Sequence, residues 1–490
     1  MDIYNFLNVL DIINTEKGET EFSKIRSSYG VYLERTGNFM VRGRVNSGEI
    51  TPEQGIKLIS LGRRLNKESI HITTRQDIQF HDISKEELKI TAKELEELGF
   101  SVVGTGGNTI RNIVISPKSG YENEEFDVSV HVKEVSKKLK DAGIKNDFPR
   151  KYKIAFSNNE TDDINAQIND LGFIAIKKND IKGFKVYGGG GMGKNPRQGI
   201  LLQDFITEEE VYVSITAMAE LFNKYGNREN KHKARIRYIL DNFGETKFKE
   251  EYLKLFFEKS KEKDLKLNLD NSSNKFEYTN KENLYLHPLH GKLKINDLEK
   301  IIIFIKEIKY KTKIRLTNTQ GLYILGLNKE DKKKGEEIFY DLYNQHKVLS
   351  LTACTGASTC TLGFLKTDIL VKEIIEFLKT KNEKVLEILP NIGISGCINS
   401  CGQHLIFPIG FMGKKRKTEN GNQLDIYEIF LGGRRAEVLK IGESYGDIER
   451  SKIKDFLFYL GEKILESKKD YQTFVDENKI EIENFLNYFK

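Results

Sequence analysis

The chain has 490 residues, too many for one hydrophobic core, so two to four domains are expected. Its 78 basic and 72 acidic residues give a net charge of +6, too small for this length to indicate a nucleic-acid partner. No apolar run reaches the roughly eighteen residues of a membrane span, and the N-terminus lacks a basic segment with a cleavage site. A cytoplasmic protein without membrane or nucleic-acid partners is therefore expected.

The first element with a clear start is a helix that follows Thr51. Thr51 suits the N-cap, Pro52 suits the first helical position, and Gln54 completes a capping box. The pattern predicts a helix through Leu65 that lies between two strands, FMVRGRV and SIHITTR. The residues assigned to the inner face of this helix are Ile56, Ile59 and Leu65.

Two further helices have similar start signals. Ser84 with Glu87 opens the next helix, and Gly99 closes it. Much later in the chain, Asn296 and Glu299 occupy the positions of a cap and its partner, again between two short strands, LYLHPL and KIRLTN. The apolar residues expected on the inner face of this last helix are Leu298, Ile301, Ile302 and Ile305.

These segments belong to one unit that occurs twice along the chain as an internal sequence repeat. Arg42 aligns with His287 and Arg75 with Thr319, at offsets of 244 to 245 residues. FPRKYKIAFSNN aligns with LPNIGISGCINS at an offset of 241, and VYGGGG with FLGG. The matches keep their order and the offset is half the chain, so an α+β protein built by tandem duplication is predicted. The lysine-rich segment 258–283 is the predicted linker.

The two copies carry different chemistry. The second copy holds all four cysteines. A pseudo-twofold pairing of the copies would bring these cysteines against the basic residues of the first copy. Those basic residues are Arg42, Arg44, Arg75, Arg111, Lys151 and Lys153.

The cysteines are Cys354, Cys360, Cys397 and Cys401, in the motifs ACTGASTC and SGCINSCG. Five residues separate the first pair, whereas structural zinc usually closes loops of two to four residues. Four thiolates flanked by small residues, whose N–H groups can approach the sulfur atoms, suit an iron–sulfur cluster. A zinc site, or four buried free thiols, is the alternative.

The cysteine motifs resemble those of the nitrite and sulfite reductase family. The resemblance extends in order through FMVRGRVNSG, TTRQDIQ, GNTIRN, FPRKYK, the glycine run, GNRENKHKARIRY and IGFMG. It implies a pseudo-twofold α+β fold in which two ferredoxin-like half-domains pair and two α/β domains bind sirohaem and a [4Fe–4S] cluster. The implied domains are 1–85 (half-domain), 86–257 (sirohaem-binding, with the anion site), 258–345 (linker and second half-domain) and 346–490 (cluster and sirohaem).

The resemblance also assigns roles to individual side chains. Cys401 would bridge the cluster and the sirohaem iron, with the other three cysteines completing the cluster ligands. The residues expected to hold and protonate the anion are Arg42, Arg111, Lys151 and Lys153. The residues expected to contact the cofactors are Arg44, Arg75, Gln79, Arg228, Lys231, Arg235 and Asn399. Arginine suits carboxylates because its planar fork binds them in bidentate fashion, and a buried lysine suits proton delivery.

The expected activity is a six-electron reduction of sulfite to sulfide. The glycine run at residues 188–191 lacks the spacing of a dinucleotide-binding loop, so electrons should come from a separate carrier such as ferredoxin. Reduction of nitrite to ammonia is the alternative within the family, and a related cobalamin-pathway oxygenase is a third. A metal-stabilised electron-transfer or scaffold protein without haem is the alternative outside enzymes.

Overall fold

The computed structural model describes residues 2–121, 126–141, 147–269, 280–418, 420–435 and 439–489. Part of the predicted linker, residues 270–279, lies outside the described residues. Within these ranges no helix is both long and apolar enough to cross a bilayer. The helices are α1 (Ile3–Asp11), α2 (Glu16–Ile25), α3 (Pro52–Arg64), α4 (Leu88–Glu97), α5 (Val128–Asp141), α6 (Val211–Tyr225), α7 (Ile236–Phe243), α8 (Glu245–Lys259), α9 (Ile295–Glu307), α10 (Lys329–Ile338), α11 (Thr367–Leu378), α12 (Glu383–Ile388), α13 (Ile453–Ser467), α14 (Tyr471–Glu477) and α15 (Lys479–Leu486).

The strands form sheets that repeat in the two copies. They are β1 (Val31–Leu33), β2 (Phe39–Gly43), β3 (Glu49–Ile50), β4 (Ser69–Ile72), β5 (Ile78–Ile83), β6 (Val114–Ile115), β7 (Ile154–Ser157), β8 (Leu171–Lys178), β9 (Ile181–Gly188), β10 (Ile200–Thr207), β11 (Glu282–Leu286), β12 (Lys292–Lys294), β13 (Lys313–Leu316), β14 (Leu322–Leu327), β15 (Thr352–Ala353), β16 (Ile392–Ser395), β17 (Ile409–Lys417), β18 (Gln423–Leu431) and β19 (Glu443–Glu449).

Two five-stranded sheets have the same topology, which confirms the predicted duplication. In the order β6-β7-β8-β9-β10, the first two pairings are parallel and the last two antiparallel. The sheet β15-β16-β17-β18-β19 repeats this pattern. The structural offset between β7 and β16 is 238 residues. The predicted alignment at an offset of 241 was therefore wrong by three residues.

The remaining strands form two sheets that exchange one strand between the copies. β12 of the second copy completes the sheet β1-β2-β5-β4 by pairing with β4, and β3 of the first copy completes β11-β14-β13 by pairing with β13. Helices α3 and α9 pack against each other. The two half-domains therefore share one hydrophobic core, which is formed by apolar residues from the segments 6–102 and 284–342. This core continues beyond the predicted boundary at residue 85.

Two buried glutamines reinforce the exchange in equivalent ways. Gln76 donates to the carbonyl of Leu316 at 2.8 Å and accepts from the amide of Ile115 at 2.9 Å. Gln320 donates to the carbonyl of Ile72 at 3.3 Å and accepts from the amide of Ala353 at 2.7 Å. Both glutamines have a positive φ, 55° and 67°. Each glutamine thus ties its own copy to the other half-domain and to a five-stranded sheet.

Two further cores lie under the five-stranded sheets. One contains apolar residues between 110 and 267, and the other contains apolar residues between 348 and 486. Each sheet is covered by the helices of its own copy, so the two cores are built separately. The described chain thus has a paired central layer with one sheet domain attached to each copy.

In the first copy the predicted capping box forms but one residue assigned to the inner face is exposed, and in the second copy the predicted cap does not form. Thr51 and Gln54 form the predicted capping box of α3, but Ile56 is 43% exposed rather than inward-facing. Helix α9 begins at Ile295, two residues before the predicted start at Asp297, and has no side-chain cap. Glu299 forms an ion pair with Arg63 of α3 instead of a capping contact, because the two helices lie side by side.

A buried ionic cluster lies where β3 pairs with β13. Glu49 of the first copy contacts Arg315 at 2.6 Å and Lys313 at 3.1 Å, both from the second copy, and Lys133 of α5 at 2.9 Å. Arg315 is fully buried. Burial raises the pKa of Glu49, but the three cations outweigh it and lower that pKa to about 2.

We expect Glu49→Gln to destabilise the protein by about 3 kcal/mol at neutral pH. Because the folded-state pKa is depressed, this contribution is present above the unfolded pKa near 4.5 and disappears as the pH falls towards 2. Urea unfolding of wild type and variant between pH 7 and pH 3 measures the difference. Glu299→Gln, in the exposed pair with Arg63, is the matched control and should cost less than about 1 kcal/mol. Equal losses of unfolding free energy in the two variants, or a loss at Glu49 that does not change with pH, would contradict the stabilising role of the Glu49 carboxylate.

Candidate functional site

The exchange of strands brings the cysteine loops of the second copy against the first half-domain. The hydroxyl of Thr74, in the turn between β4 and β5, donates to the carbonyl of Cys401 at 3.1 Å. Arg35 donates to the carbonyls of Cys360 at 2.9 Å and Gly363 at 2.6 Å. Side chains of the other copy therefore hold both cysteine motifs through the motifs' backbone carbonyls, so the site lies at the junction of the two copies.

The four cysteines converge on one location. Burial is the main cause that raises the pKa of Cys354 to about 12, with further contributions from Cys401 and Cys397. The pKa of Cys397 is also raised by burial, and both Cys401 and Cys360 contribute. All four are free thiols. The two motifs, which are 36 residues apart in sequence, therefore meet in space, as the hydrogen bond from the Gly396 amide to Sγ of Cys354 also shows.

Donors from the surrounding backbone reach the sulfur atoms. The amide of Gly396 donates to Sγ of Cys354 at 3.2 Å, and the side-chain amide of Asn399 lies 3.5 Å from Sγ of Cys397. A Cβ atom at Gly402 would collide with the carbonyl oxygen of Ile394. Glycine is therefore required at that position for the close packing of the two cysteine loops, as the small residues of the motifs predict.

A single zinc ion and a polynuclear cluster place different demands on the four cysteines. Among the residues that the structure describes, which include all four cysteines, no three His, Cys, Asp or Glu side chains are close enough to share one metal ion. Mononuclear zinc needs sulfur atoms at about 2.3 Å from one centre. A polynuclear iron–sulfur cluster accepts thiolates that are further apart from one another.

Three arginines of the first copy line a loop at residues 104–110. Arg42 donates to the carbonyl of Thr105 at 3.1 Å, and Arg111 donates to the same carbonyl at 2.7 Å and to that of Gly107 at 2.8 Å. Arg44 donates to the carbonyls of Gly104 and Ile110 at 3.0 and 2.8 Å. Backbone carbonyls, rather than carboxylates, thus accept the hydrogen bonds of these guanidinium groups.

Arg75 and Arg235 are held in contrasting ways. Arg75 donates to Asn169 and to the carbonyls of Asn112 and Ile154, and burial lowers its pKa to about 10. Arg235 forms a bidentate ion pair with Asp170, at 3.1 and 2.7 Å, with the carboxylate fully buried.

The two lysines of FPRKYK lie beside the same cations. Burial, Arg235 and Arg111 lower the pKa of Lys151 to about 7, while Cys401 raises it. Burial lowers the pKa of Lys153 well below its usual value, with Arg75 and Lys151 as further causes. The electrostatic influence of Cys401 on both lysines indicates that the cysteine and basic clusters face each other, as the pseudo-twofold hypothesis predicts.

The remaining predicted site residues are Gln79, Arg228 and Lys231. Turned so that its oxygen rather than its nitrogen faces Arg42, the side-chain amide of Gln79 accepts from that guanidinium at 3.0 and 2.7 Å. Arg228 is exposed and contacts Asp147, and Lys231 is exposed as well. The structure therefore brings Gln79 into the basic cluster and leaves Arg228 and Lys231 at the surface.

Sequence reasoning missed three residues of the basic cluster. Asp77, 4% exposed, lies near Arg42, Arg44, Arg75 and Arg111, which lower its pKa against the stronger effect of burial. Tyr32 lies with its ring 5.6 Å from Arg42, and despite burial Arg111 and Arg42 lower its pKa. Asp170 compensates Arg235. The signal for Asp77 was its place two residues after Arg75 in TTRQD, whereas Tyr32 and Asp170 carry no motif of their own.

We expect Asp170→Asn to destabilise the protein by about 3–5 kcal/mol, because it leaves the buried guanidinium of Arg235 without its counter-charge. Asp147→Asn is the matched control, since it removes a carboxylate from the exposed pair with Arg228 and should cost less than about 1 kcal/mol. Chemical unfolding of both variants at pH 7 measures the effect. If Asp170→Asn lowers the free energy of unfolding as little as Asp147→Asn does, the ion pair between Asp170 and Arg235 does not stabilise the fold.

Two family models match the chain. The model described as the nitrite and sulphite reductase 4Fe-4S domain matches residues 106–260, and the nitrite/sulfite reductase ferredoxin-like half domain matches residues 32–98. Both matches lie in the first copy, which contains no cysteine. The four cysteines lie in the structural repeat of the first matched domain.

Similar proteins cover most of the chain. The sulfite reductase [NADPH] hemoprotein beta-component of Staphylococcus epidermidis is 27% identical over 447 residues, covering 82% of this chain and 76% of the relative. The chloroplastic ferredoxin–nitrite reductase of Spinacia oleracea is 26% identical, covering 84% and 72%. The sulfite reductase [ferredoxin] of Mycobacterium tuberculosis is 24% identical, covering 86% and 76%.

A solved structure shares the whole fold. The structure of the Mycobacterium tuberculosis NirA protein superposes with a TM-score of 0.80 at 21% identity, covering 95% of this chain and 94% of that one. The predicted architecture of paired ferredoxin-like half-domains and two sheet domains is thereby confirmed.

Proposed function

We propose that this chain is an oxidoreductase of the nitrite and sulfite reductase family and that it reduces sulfite to sulfide with six electrons from a separate carrier protein. The observation that carries the proposal is the junction of the copies, where four cysteine thiols face a cluster of partly buried cations. Reduction of nitrite to ammonia at the same site is the second candidate, favoured by the similarity to a plant ferredoxin–nitrite reductase.

The donor set fits a [4Fe–4S] cluster and sirohaem. Four cysteines supply the ligands that such a cluster requires, with a backbone donor already placed on Cys354. The Nε atoms of Arg44, Arg75 and Arg111 are buried without a hydrogen-bond partner among the described residues. Donors of this kind suit the carboxylates of sirohaem, because a buried guanidinium needs acceptors for all its N–H groups.

When bound, these cofactors deliver single electrons to the substrate. The residues of the chain supply the rest of the chemistry. Arg42 and Arg111 hold the anion, and since backbone carbonyls rather than carboxylates fix them, their charge acts on the substrate. Lys151 has a pKa of about 7 and can therefore both give and take up a proton near neutral pH.

Lys153 links anion binding to proton uptake. Its pKa is depressed by burial and by three cationic neighbours, Arg75, Lys151 and Arg235. An anion beside the ammonium group favours the charged form, so binding raises the pKa and draws in a proton that the reaction can use. A dianion does this more strongly than a monoanion, which favours sulfite, a substantial part of which is dianionic near neutral pH, over nitrite, which is a monoanion.

The electron donor is proposed to be a ferredoxin-type carrier. The similar proteins include some whose names give ferredoxin as the electron donor and others whose names give NADPH. The glycine run at residues 188–191 lacks the spacing of a dinucleotide-binding loop. The glycines instead shape the turn after β9, where Gly189 has a φ of 80°. Reducing equivalents must therefore arrive through another protein.

The test of the function is an anaerobic assay of purified, cofactor-loaded protein with reduced ferredoxin. We expect haem absorbance, iron and labile sulfide, sulfide formation from sulfite, and slower ammonia formation from nitrite. A colourless protein that contains only zinc would overturn the haem assignment. A strong preference for nitrite would replace sulfite reduction by the second candidate.

Cys401→Ser should abolish the cluster and any donor-driven reduction, because Cys401 is the proposed bridge between cluster and haem. Iron and labile-sulfide analysis, with the absorption spectrum, measures the loss. The protein fold should persist, since the contact from Thr74 is to the backbone of residue 401 rather than to its side chain. A variant with a complete cluster that still accepts electrons would contradict the bridging role.

Lys153→Asn should lower the kcat/KM for sulfite by at least tenfold more than the kcat/KM for nitrite. At an effective dielectric near 20, a unit charge about 4 Å away contributes roughly 4 kcal/mol per charge before desolvation. A fraction of this energy is enough for a tenfold difference between the two anions. Steady-state kinetics of both anions with one donor measures the ratio. Lys178→Asn, an exposed substitution of the same kind, is the control. Equal losses for both anions would remove Lys153 from substrate selection.

A further inference from the structure

His290 reaches from the second half-domain to the backbone of Cys354, one of the four cysteines. It lies in the short turn Leu289–Gly291 that leads into β12, and the residue is 3% exposed. Its Nε2 atom lies 2.8 Å from the carbonyl oxygen of Cys354 and 3.1 Å from Oγ1 of Thr367, the first residue of α11. Because a carbonyl oxygen only accepts hydrogen bonds, Nε2 must carry the hydrogen and donate it to Cys354.

The backbone and the sulfur atom of Cys354 are fixed together. The hydroxyl of Thr367 donates to the same carbonyl, so this oxygen accepts hydrogen bonds from two side chains. The Cys354 N–H donates to the carbonyl of Ile394 at 3.1 Å, and Sγ accepts from the amide of Gly396 at 3.2 Å. Contacts at the N–H, the carbonyl and the sulfur atom therefore set both the position of the thiol and the electrostatic potential around it.

The internal repeat contains the same turn in the copy that has no cysteine. There the turn Asn46–Gly48 leads into β3, and Ser47 at its centre has the same φ as His290, 56°. The first-copy counterpart of Cys354 is Ser116, because each of the two follows the edge strand of its sheet and donates its N–H to a carbonyl of the neighbouring strand, at 3.1 and 3.0 Å. Ser47 is buried, and its hydroxyl has no hydrogen-bond partner among the described residues. The histidine contact thus occurs in the copy that holds the cysteines and has no equivalent at Ser47.

We propose that His290 is a positioning residue for the [4Fe–4S] cluster: its N–H, together with the hydroxyl of Thr367, holds the carbonyl of Cys354 and thereby raises the reduction potential of the cluster. The proposal rests on the proposed function, because it assigns Cys354 to the cluster. A cluster that accepts an electron gains negative charge, which nearby hydrogen-bond donors stabilise and unpaired carbonyl oxygens oppose. Without the N–H of His290, the carbonyl oxygen of Cys354 is less compensated, so the reduced cluster is less favourable.

The experiment measures the reduction potential of the cluster in the cofactor-loaded protein, by redox titration followed by electron paramagnetic resonance. His290→Asn tolerates the positive φ, but its shorter amide cannot reach the carbonyl of Cys354. His290→Gln extends a donor N–H to the place of Nε2 and should restore the contact. Ser47→Ala changes the equivalent turn of the first copy and is the control.

We expect the equilibrium constant for reduction of the cluster to fall about tenfold in His290→Asn, which corresponds to a potential lower by about 59 mV for one electron. His290→Gln and Ser47→Ala should keep the wild-type potential. Thr367→Val preserves the shape of the side chain, removes the second donor to the same carbonyl and should shift the potential in the same direction as His290→Asn. Iron and labile-sulfide analysis should give a complete cluster in every variant.

Other outcomes would overturn the proposal. An unchanged potential in His290→Asn or in Thr367→Val would show that the Cys354 carbonyl does not tune the cluster. Equal shifts in His290→Asn and His290→Gln would assign the effect to the shape of the ring, and loss of the cluster in both would make the histidine structural. Absence of iron and labile sulfide from the wild type would overturn the proposed function too, whereas a complete wild-type cluster with an unchanged potential in His290→Asn overturns only the role of His290.

Discussion

The exchange of β3 and β12 between the copies is the constraint on which the rest of the structure depends. Each half-domain lacks one strand of its own sheet and receives it from the other copy. This reciprocal pairing fixes the relative orientation of the copies, and the buried contacts of Gln76 and Gln320 carry that orientation to the five-stranded sheets. The cysteine loops consequently face the basic residues of the other copy. A functional site between the copies follows directly from the sheet pairing.

The site concentrates charges that the isolated protein tolerates poorly. Cations lie on one side, mostly held by carbonyls, and the four cysteine thiols lie on the other. The ion pair between Arg235 and Asp170 neutralises one of these cations, while Asp77 acts on several from a distance. The cations favour binding of anions, and the thiols, once deprotonated, favour binding of a metal cluster. Binding of both should therefore add to the stability of the folded state.

Local signals in the sequence predicted more of the first copy than of the second. The capping box at Thr51 is a contact between near neighbours in the chain and formed as predicted. The equivalent cap at Asn296 did not form, because Glu299 pairs with Arg63 of a helix that only tertiary packing brings near. Similarly, the motifs located the cysteines and the arginines. Tyr32, Asp77 and Asp170 were missed, since their importance comes from neighbours that are distant in sequence.

The strand exchange also has a consequence for how the chain reaches its native state during synthesis. Strand β13, the partner of β3, lies more than 260 residues further along the chain, so β3 leaves the ribosome long before it can pair. Until then the first half-domain presents an open sheet edge and an incomplete core, both of which attract other chains. Pairings over such distances in sequence also form slowly. The duplicated enzyme should therefore depend on chaperones that shield the first half while the second is translated.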